Sequence, residues 1–375
     1  MHKVNLTFLA STLPVGGAEN VLLELVKNMD MQKFNVNIIC LREGGRMSEE
    51  LSRLGVKVTD NFITGRFDIR TVWKLPSLLR STNTHVLCML NHDDAMFWGK
   101  MCSRFARVPV SLLWVHSNLI PGTKLWVRLV NRLTMNLVSN IITISGIHRK
   151  RILSTYPSLR EDKLTIIYNG VDTARYDSTA QEDNITDLPD LSGFSTIIGT
   201  VARLSPEKDL DVLMKAAKLV LEKKENALFV IVGDGPERGR YEQTARTLGV
   251  EDNVRFLGMR RDIPRILKMF DIAVLSSKDE VFPMFLLEAM ASALPVVSTR
   301  VGSMEEVIED GTTGFLVESG DYKGLADHIL ALSADGELAA RMGRNGRERV
   351  EKFFSTRKMV DDIQTLIVDL LEKAP

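Results

Sequence analysis

Residues 272–291 combine a short apolar run, a polar turn and a run of helix formers, and they read Ile272-Ala273-Val274-Leu275-Ser276-Ser277-Lys278-Asp279-Glu280-Val281-Phe282-Pro283-Met284-Phe285-Leu286-Leu287-Glu288-Ala289-Met290-Ala291. The apolar run predicts a buried strand, and Pro283 is typical of the first position of a helix. Glu280 is therefore expected at the carboxyl end of a strand, and Glu288 about one and a half turns into the helix. In open α/β sheets, ligands bind beside that end of the strands, where a helix N-terminus offers N–H groups to an anion. Two carboxylates beside an anion site suit a ligand with hydroxyls and phosphate.

Strand-like apolar runs alternate with helical patterns along most of the chain. In the first half they occupy residues 4–10, 36–41, 56–58, 86–90, 110–115 and 141–144. In the second half they occupy residues 196–201, 228–232, 254–257, 272–275, 296–299 and 314–317. Alternation of this kind predicts parallel sheets that are covered by helices on both faces. The expected fold class is α/β, with two Rossmann-like parallel-sheet domains facing a central cleft.

The length of 375 residues exceeds what one hydrophobic core usually serves, which favours two domains. A polar stretch in the middle of the chain is the best linker candidate. We therefore predict an N-terminal domain over 1–172, a linker over 173–192 and a C-terminal domain over 193–355. Residues 356–375 are predicted to form a final helix. The three cysteines show no metal-like spacing, which favours buried, reduced thiols.

A net charge of zero conceals a strong asymmetry along the chain. Residues 1–172 contain 22 Lys and Arg against 13 Asp and Glu, and no acidic residue occurs between Ala95 and Arg160. A field of one sign over this length favours anionic partners such as acidic lipid or phosphate. No apolar run reaches the ~18 residues of a membrane-spanning helix.

Two cations and a glycine turn follow strands of the second half. Arg203 and Lys208 come after the strand at 196–201, where a guanidinium and an ammonium would suit a diphosphate, although such a pair is usually a solvated loop. Gly233 ends the next strand and could shape a nucleotide pocket or form a simple turn. Gly16 and Gly17 stand at the equivalent place after the first strand, where they favour either close approach to a ligand or a tight turn.

Other polar residues have weaker patterns. His116 follows the strand at 110–115 and could face a ligand, with His92 as a competitor, although a lone histidine is more often structural. Asp209 and Asp211 spell a metal-binding Asp-x-Asp, but Asp209 is better explained as the cap of the following helix. We find no constellation for nucleophilic catalysis.

Residues 123–139 are amphipathic, because Lys124, Arg128 and Arg132 recur every four residues among Trp and Leu side chains. This pattern is equally compatible with a helix at an anionic membrane surface and with a core helix that has a solvated basic stripe.

In combination, these segments resemble family 4 of the retaining glycosyltransferases, which have the GT-B fold. The resemblance covers nearly the whole chain. It rests on Gly16-Gly17-Ala18-Glu19, Tyr168-Asn169-Gly170-Val171-Asp172, Arg203 with Lys208, Gly233-Asp234-Gly235-Pro236, Val254-Arg255-Phe256-Leu257-Gly258, and Glu280 with Glu288.

The resemblance implies a role for each matching residue. Glu280 would contact donor-sugar hydroxyls, and Glu288 would hold the ribose. The diphosphate would be bound by Arg203, Lys208 and the helix N-terminus at Pro283, Met284 and Phe285. Gly17 would let the backbone reach the phosphate, and His116 resembles the active-site histidine of the family. The last helix would cross back to the first domain.

The resemblance thus implies a metal-independent, retaining hexosyltransferase (EC 2.4) without a cofactor. Its donor would be a UDP- or GDP-sugar, and its acceptor a glycan or lipid-linked sugar of envelope polysaccharide or lipopolysaccharide synthesis. The expected location is cytoplasmic, with peripheral binding to the inner membrane face, and no nucleic-acid partner is expected. Two alternatives stay open, a nucleotide-sugar 2-epimerase of the same fold and a non-catalytic nucleotide-sugar-binding protein.

Overall fold

The structure is a computed structural model that describes residues 3–13, 16–63, 68–90, 93–117, 131, 133–177, 191 and 193–374. The chain divides into two compact units. The first unit comprises Met1–Gly170 and Thr356–Pro375, and the second comprises Val171–Ser355.

The first unit contains a parallel sheet flanked by helices. Its described elements are β1 (Val4–Ala10), α1 (Gly17–Asn28), β2 (Phe34–Cys40), α2 (Gly45–Arg53), β3 (Lys57–Thr59), α3 (Thr71–Ser81), β4 (Val86–Leu90), α4 (Asp93–Ala106), β5 (Val110–Val115), β6 (Asn140–Thr143), α5 (Gly146–Thr155) and β7 (Leu164–Ile166). The strand order is β3-β2-β1-β4-β5-β6-β7, and every described pairing is parallel. β1 and β2 pair in register from Val4 opposite Phe34 to Ala10 opposite Cys40.

The second unit repeats this plan. Its described elements are β8 (Thr196–Val201), α6 (Leu210–Leu221), β9 (Ala227–Val232), α7 (Arg238–Leu248), β10 (Val254–Gly258), α8 (Ile263–Leu267), β11 (Ile272–Leu275), α9 (Met284–Ala291), β12 (Val296–Thr299), α10 (Met304–Val307), β13 (Gly314–Val317), α11 (Tyr322–Ala334) and α12 (Gly336–Phe353). The strand order is β10-β9-β8-β11-β12-β13, again parallel throughout the described pairings.

Helices on both faces bury most residues of the inner strands, which explains why these strands are continuous apolar runs in the sequence. Every residue of β4 and of β9 is buried. The three cysteines are buried and free, and burial raises the pKa of the Cys40 and Cys102 thiols to about 12. The prediction of two Rossmann-like parallel-sheet domains is confirmed.

The last helix, α13 (Thr356–Glu372), belongs to the first unit although it follows the second in sequence. It packs against α1, and the side chain of Gln364 accepts a hydrogen bond from the backbone N–H of Asp30 at 3.2 Å. Its apolar stripe includes Met359, Ile363 and Ile367, all buried. The apolar face of the helix predicted at residues 356–371 is therefore buried by packing within the first unit.

Each sheet contains one point at which the strand order reverses. In the first sheet β1 lies between β2 and β4, and in the second sheet β8 lies between β9 and β11. The helices that leave neighbouring strands there pass to opposite faces, which opens a crevice at the carboxyl ends of those strands. The residues that follow β8 and β11 are therefore the first place to look for a ligand site.

Candidate active site

The loops that follow β8 and β11 are joined by a buried ion pair. Lys208 Nζ contacts Glu280 Oε1, and Ser277 Oγ donates to the same carboxylate oxygen at 2.8 Å. The two charged side chains are only 18% and 9% exposed, so solvent screens their attraction weakly. Two residues that the sequence assigned separately to phosphate and sugar thus lie in direct contact.

Further contacts fasten the same two loops to each other. The backbone N–H of Lys278 donates to the Glu207 carbonyl at 2.8 Å, and Ser276 Oγ donates to the Lys208 carbonyl at 3.1 Å. The Lys278 ammonium also lies 3.1 Å from a carboxylate oxygen of Asp209. Arg203 is exposed in the loop directly after β8. Hydrogen bonds and an ion pair therefore connect the two loops, and the first of these loops carries the exposed Arg203 side chain.

The expectation that Asp209 caps the following helix is wrong. Asp209 occupies the N-cap position of α6, but its φ is +45° and its side chain makes no capping hydrogen bond, because it pairs with Lys278 instead. The Asp211 carboxylate contacts Arg240 and accepts from Thr244 at 3.0 Å. Within the described part of the chain, no group of three or more His, Cys, Asp or Glu side chains is arranged to hold a metal ion.

Two glycines allow the loops to approach this closely. At Gly233, where φ is +123°, a Cβ would lie 1.9 Å from the carbonyl oxygen of Ala202. At Gly302, where φ is +55°, a Cβ would lie 1.8 Å from the carbonyl oxygen of Glu280. Since both obstacles are backbone atoms, neither can move aside cheaply. Gly302, which was not predicted from the sequence, therefore packs directly against the backbone of Glu280.

The helix α9 begins beside this loop. Pro283 is its N-cap residue in an extended conformation, and no side chain caps the helix. The first N–H groups, at Met284 and Phe285, consequently have no partner within the helix. The Phe285 side chain is buried, so only its backbone can serve a ligand. Pro283 lies one position before the helix rather than at its first position.

Glu288 lies one turn further along α9 and is half-buried. Burial raises the pKa of its carboxyl, while a hydrogen bond from the Tyr176 hydroxyl and the charge of Arg175 oppose that rise. Tyr176 is itself buried. Neither Arg175 nor Tyr176 was anticipated, because both follow the Asn-Gly turn far from Glu288 in sequence and carry no pattern that would connect them to it.

In the first unit, His116 directly follows β5. It is half-buried, and its ring centroid lies 4.5 Å from that of Trp114. The next residue, Ser117, presents its carbonyl oxygen to Nε2 of the buried His148 at 3.2 Å, and His148 Nδ1 accepts from the Ile144 N–H at 3.5 Å. A carbonyl only accepts, so Nε2 carries the proton and His148 is neutral.

His148 is thus a polar anchor that the sequence did not reveal. Burial lowers its pKa to about 4, and the charge of Arg151 contributes in the same direction, against the opposing effect of the Ser117 hydrogen bond. The position of His148 in a weakly amphipathic stretch gave no signal, since only the folded strand ends bring β5 and α5 together.

The two glycines after β1 differ, because a Cβ at Gly16 would lie 2.6 Å from Oε2 of the buried Glu19 side chain. Gly16 is extended with φ of −156°, and a Cβ at Gly17 would meet nothing within 4 Å. A tight turn therefore does not explain Gly17, and open space beside the start of α1 is what the structure provides. Nearby, Asp94 is buried and contacts both Ser11 and Arg42, which ties together the ends of β1, β2 and β4.

Several predicted residues lie outside the described residues. They are His92, Lys124, Arg128 and Arg132.

Comparison with known proteins agrees with this architecture. The model of the family "Glycosyltransferase Family 4" matches residues 15–175, and that of "Glycosyl transferases group 1" matches residues 190–349. The two parallel sheets and the two matching family models define a glycosyltransferase of the GT-B class. The chain belongs to glycosyltransferase family 4, and the prediction of a hexosyltransferase-type enzyme is confirmed.

Two curated relatives illustrate the range of the family. N-acetyl-alpha-D-glucosaminyl L-malate synthase of Bacillus anthracis is 34% identical over 233 residues, which cover 61% of this chain and 60% of that protein. An Escherichia coli enzyme, UDP-Gal:alpha-D-GlcNAc-diphosphoundecaprenol alpha-1,3-galactosyltransferase, is 26% identical over 369 residues and 95% of both chains. The chain thus spans less than two thirds of the first relative and nearly all of the second.

Solved structures show the same fold. Anabaena HepE in complex with UDP superposes with a TM-score of 0.84 at 22% identity, covering 98% of this chain and 100% of that one. A glycosyltransferase from Rickettsia africae superposes with a TM-score of 0.84 at 18% identity, covering 100% of both chains.

Proposed function

We propose that the protein transfers a hexose from a nucleotide-diphospho-sugar to a glycan or lipid-linked acceptor, with retention of anomeric configuration and without a metal ion. The observation that carries this proposal is the buried pair of Lys208 and Glu280 beside the uncapped N-terminus of α9, at the strand reversal of the second sheet. Cation, carboxylate and free N–H groups there match the diphosphate and the sugar hydroxyls of such a donor.

Cleavage of the sugar–phosphate bond leaves negative charge on the departing diphosphate, which must be stabilised. Arg203 has an exposed guanidinium for this purpose, and Lys208 and the N–H groups of Met284 and Phe285 add further donors. Together they could neutralise the leaving group, as a divalent cation does in other enzymes. A bound metal ion would then not be required for this step.

Glu280 is suited to hold a hydroxyl and unsuited to attack the sugar. Both Lys208 and Ser277 engage its Oε1, which leaves Oε2 to accept from a donor-sugar hydroxyl. An ion-paired and hydrogen-bonded carboxylate is a weak nucleophile. Retention would then follow if the acceptor attacks from the leaving-group face and the departing phosphate takes its proton, because no enzyme nucleophile is needed.

Further residues contribute to substrate binding. Glu288 accepts hydrogen bonds from the nucleoside ribose, and Gly233 shapes the floor of the nucleotide pocket. In the first unit, Gly16 and Gly17 after β1 and His116 at the end of β5 are the residues that we propose to contact a substrate.

The comparisons support a UDP-sugar and a lipid-linked or glycan acceptor. HepE binds UDP and UDP-glucose, and the Escherichia coli relative transfers galactose from UDP-Gal to a diphosphoundecaprenol-linked sugar. Other relatives are named for capsular polysaccharide and lipopolysaccharide core synthesis. We assign this chain to the same kind of envelope glycan synthesis.

An exposed face of the first unit favours peripheral binding of the protein to an anionic membrane. Large apolar side chains are exposed on this face. Ile69, just before α3, is 65% exposed, Trp73 on α3 is 67% exposed, and Phe105 near the end of α4 is 56% exposed. Trp73 and Arg80 share the exposed stripe of α3, and the Arg80 guanidinium donates to the Phe105 carbonyl at 3.0 Å.

The charge on this face matches acidic lipid. Lys74 and Arg80 are exposed on α3 together with Trp73, Arg104 and Arg107 are exposed on either side of Phe105 in the sequence, and no acidic residue occurs between Asp68 and Asp93. Basic residues with Trp and Phe are typical of a peripheral membrane surface. None of the helices in the described part of the chain has the length and hydropathy to cross a bilayer.

A donor screen tests the proposed reaction. Purified protein is incubated with UDP-, GDP- and ADP-sugars in EDTA, with lipid-linked and glycan acceptors, and product anomers are read by NMR. We expect one donor to react with retention, and Glu280→Gln to abolish turnover. Inversion at C2 without an acceptor would indicate an epimerase, and tight donor binding without turnover would indicate a binding protein. A requirement for Mg²⁺ would overturn metal independence.

A further inference from the structure

Residues 172–177 form a compact turn that delivers Tyr176 to α9. The Asp172 side chain accepts from the Ala174 N–H at 3.1 Å, and its carbonyl accepts from the Arg175 N–H at 3.1 Å. These bonds fold the chain back on itself directly before Tyr176. Tyr176 is buried, and its hydroxyl donates to the carboxylate of Glu288.

Arg347 fixes this turn to the helix that carries Glu288. Its Nη2 lies 3.2 Å from the carboxylate of Asp177, and its Nη1 donates to the Ala291 carbonyl at 2.9 Å. One guanidinium therefore bridges the residue after Tyr176 and the last residue of α9. A third contact, from Nε to Glu351 at 2.9 Å, anchors Arg347 on α12. These contacts within the second unit hold Tyr176 close to Glu288.

We infer that Tyr176 is a positioning residue that orients the Glu288 carboxylate toward the 2′- and 3′-hydroxyls of a nucleoside diphosphate, and that it thereby sets the preference for ribose over deoxyribose. This inference rests on the proposed ribose contact of Glu288. It adds a residue that acts through Glu288 without touching the sugar itself.

The physical reason lies in the geometry of a carboxylate on a short helix. A glutamate side chain has several rotamers, and a ligand that needs both oxygens binds weakly unless one rotamer is selected beforehand. A buried phenol that donates to one lone pair selects that rotamer and leaves the other lone pairs for hydroxyls. Because burial raises the pKa of the Glu288 carboxyl, the hydrogen bond from Tyr176 also opposes that rise.

Paired ribo- and deoxyribonucleotides provide the test. Binding of UDP and dUDP, GDP and dGDP, and ADP and dADP is measured by calorimetry on the full chain, and the base that binds most tightly is used. We expect the wild type to prefer the ribonucleotide by about tenfold, and Tyr176→Phe to reduce that ratio by about fivefold, since a hydrogen bond to a charged group has this order of strength. Tyr322→Phe, on α11 beside Lys215, is the matched control and should keep the full ratio.

A second variant separates the possible failures. If Glu288→Ala leaves the ribose preference unchanged, the ribose contact in the proposed function is wrong. If Glu288→Ala removes the preference but Tyr176→Phe keeps it, only the inference about Tyr176 is overturned. If Tyr176→Phe lowers the melting temperature and leaves the preference intact, Tyr176 is a structural tie between the turn and α9, and the inference also fails.

Discussion

Lys208 and Glu280, 72 residues apart in sequence, form an ion pair between the loops of two adjacent strands, β8 and β11. The pair brings the residue proposed to bind phosphate and the residue proposed to bind the sugar into direct contact. The Lys208 ammonium can therefore hold Glu280 in place, and the other N–H groups of Lys208 are available for the proposed phosphate contact. The effects of this pair on stability and on activity can be measured separately, because replacing both residues by neutral ones should restore stability and not turnover.

Lys208→Met should destabilise the second unit by roughly 3 kcal/mol, because it leaves a buried carboxylate without its counter-charge. The double variant Lys208→Met with Glu280→Gln should recover most of that loss, since a neutral amide needs no cation. Turnover should fall by about 10²–10³ in the single variant and should not recover in the double. Urea unfolding and kcat on the same preparations measure both. Recovery of turnover in the double variant would contradict the proposed roles.

Gly302→Ala should disturb Glu280 through the backbone, since the added Cβ would lie 1.8 Å from the Glu280 carbonyl oxygen. The control is Gly311→Ala, which has a similar positive φ of +75° but no atom within 4 Å of the added Cβ. The control should lose roughly 1–2 kcal/mol from left-handed strain alone. Gly302→Ala should lose more and should raise KM for the donor, whereas equal stability and kinetics would show that the contact relaxes freely.

The fold was predictable because local patterns coincide with the sheet topology. Residues 4–10, 110–115 and 272–275 were expected as strands from their apolar runs alone, and the structure has them at the same bounds as β1, β5 and β11. The strands predicted at 36–41 and 141–144 have bounds one or two residues earlier in the structure, as is usual at element ends. The expectation for Asp209 was wrong because a tertiary ion pair with Lys278 displaced the local cap.

The candidate site was only partly predictable from sequence. Glu280, Glu288, Arg203 and Lys208 carry recognisable positions after strands, so their neighbourhood followed from the topology. Contacts such as those of Tyr176 with Glu288 and of His148 with Ser117 depend on where loops from separate elements meet. No periodicity or spacing in the sequence indicates such contacts, so these residues could not be predicted from it.

Glu288→Gln should stabilise the protein at neutral pH and weaken nucleotide binding. Burial raises the pKa of Glu288, against the Tyr176 hydrogen bond and the Arg175 charge, so ionisation is harder in the folded state than in the unfolded chain. This penalty is present above both pKa values and vanishes below the ordinary value of about 4.3. Glutamine removes it while it can still accept from Tyr176.

The measurement compares melting temperatures at pH 8 and at pH 3.5. We expect Glu288→Gln to gain stability only at pH 8, with nucleoside diphosphate affinity reduced by about tenfold. Glu225→Gln, an exposed carboxylate on the same unit, should change neither quantity. A loss of stability at pH 8 would mean that the Glu288 charge supports the fold.

His148 should make stability depend on pH in the first unit. Burial lowers its pKa to about 4, while an unfolded chain titrates near the usual value of about 6.5. As pH falls from about 6.5 to about 4, the unfolded state gains the proton first, so the free energy of unfolding should drop by on the order of 3 kcal/mol. His148→Gln keeps a donor for the Ser117 carbonyl and should remove this dependence. The same replacement at His328 should leave it in place, and urea titrations across this pH range distinguish the two.

The exposed face around Trp73 should bind anionic lipid through both apolar and basic side chains. The test is co-sedimentation with phosphatidylcholine vesicles that contain or lack phosphatidylglycerol. Lys74→Glu reverses one surface charge and should weaken binding by about tenfold, since each basic residue near an acidic surface contributes about 1 kcal/mol. Trp73→Ser should weaken binding as well, by removing an interfacial aromatic anchor. Met259→Ser, which replaces an apolar side chain that is 76% exposed on the second unit, is the matched control and should have no effect. Binding that ignores phosphatidylglycerol and added salt, or that survives both substitutions, would contradict a membrane role for this face.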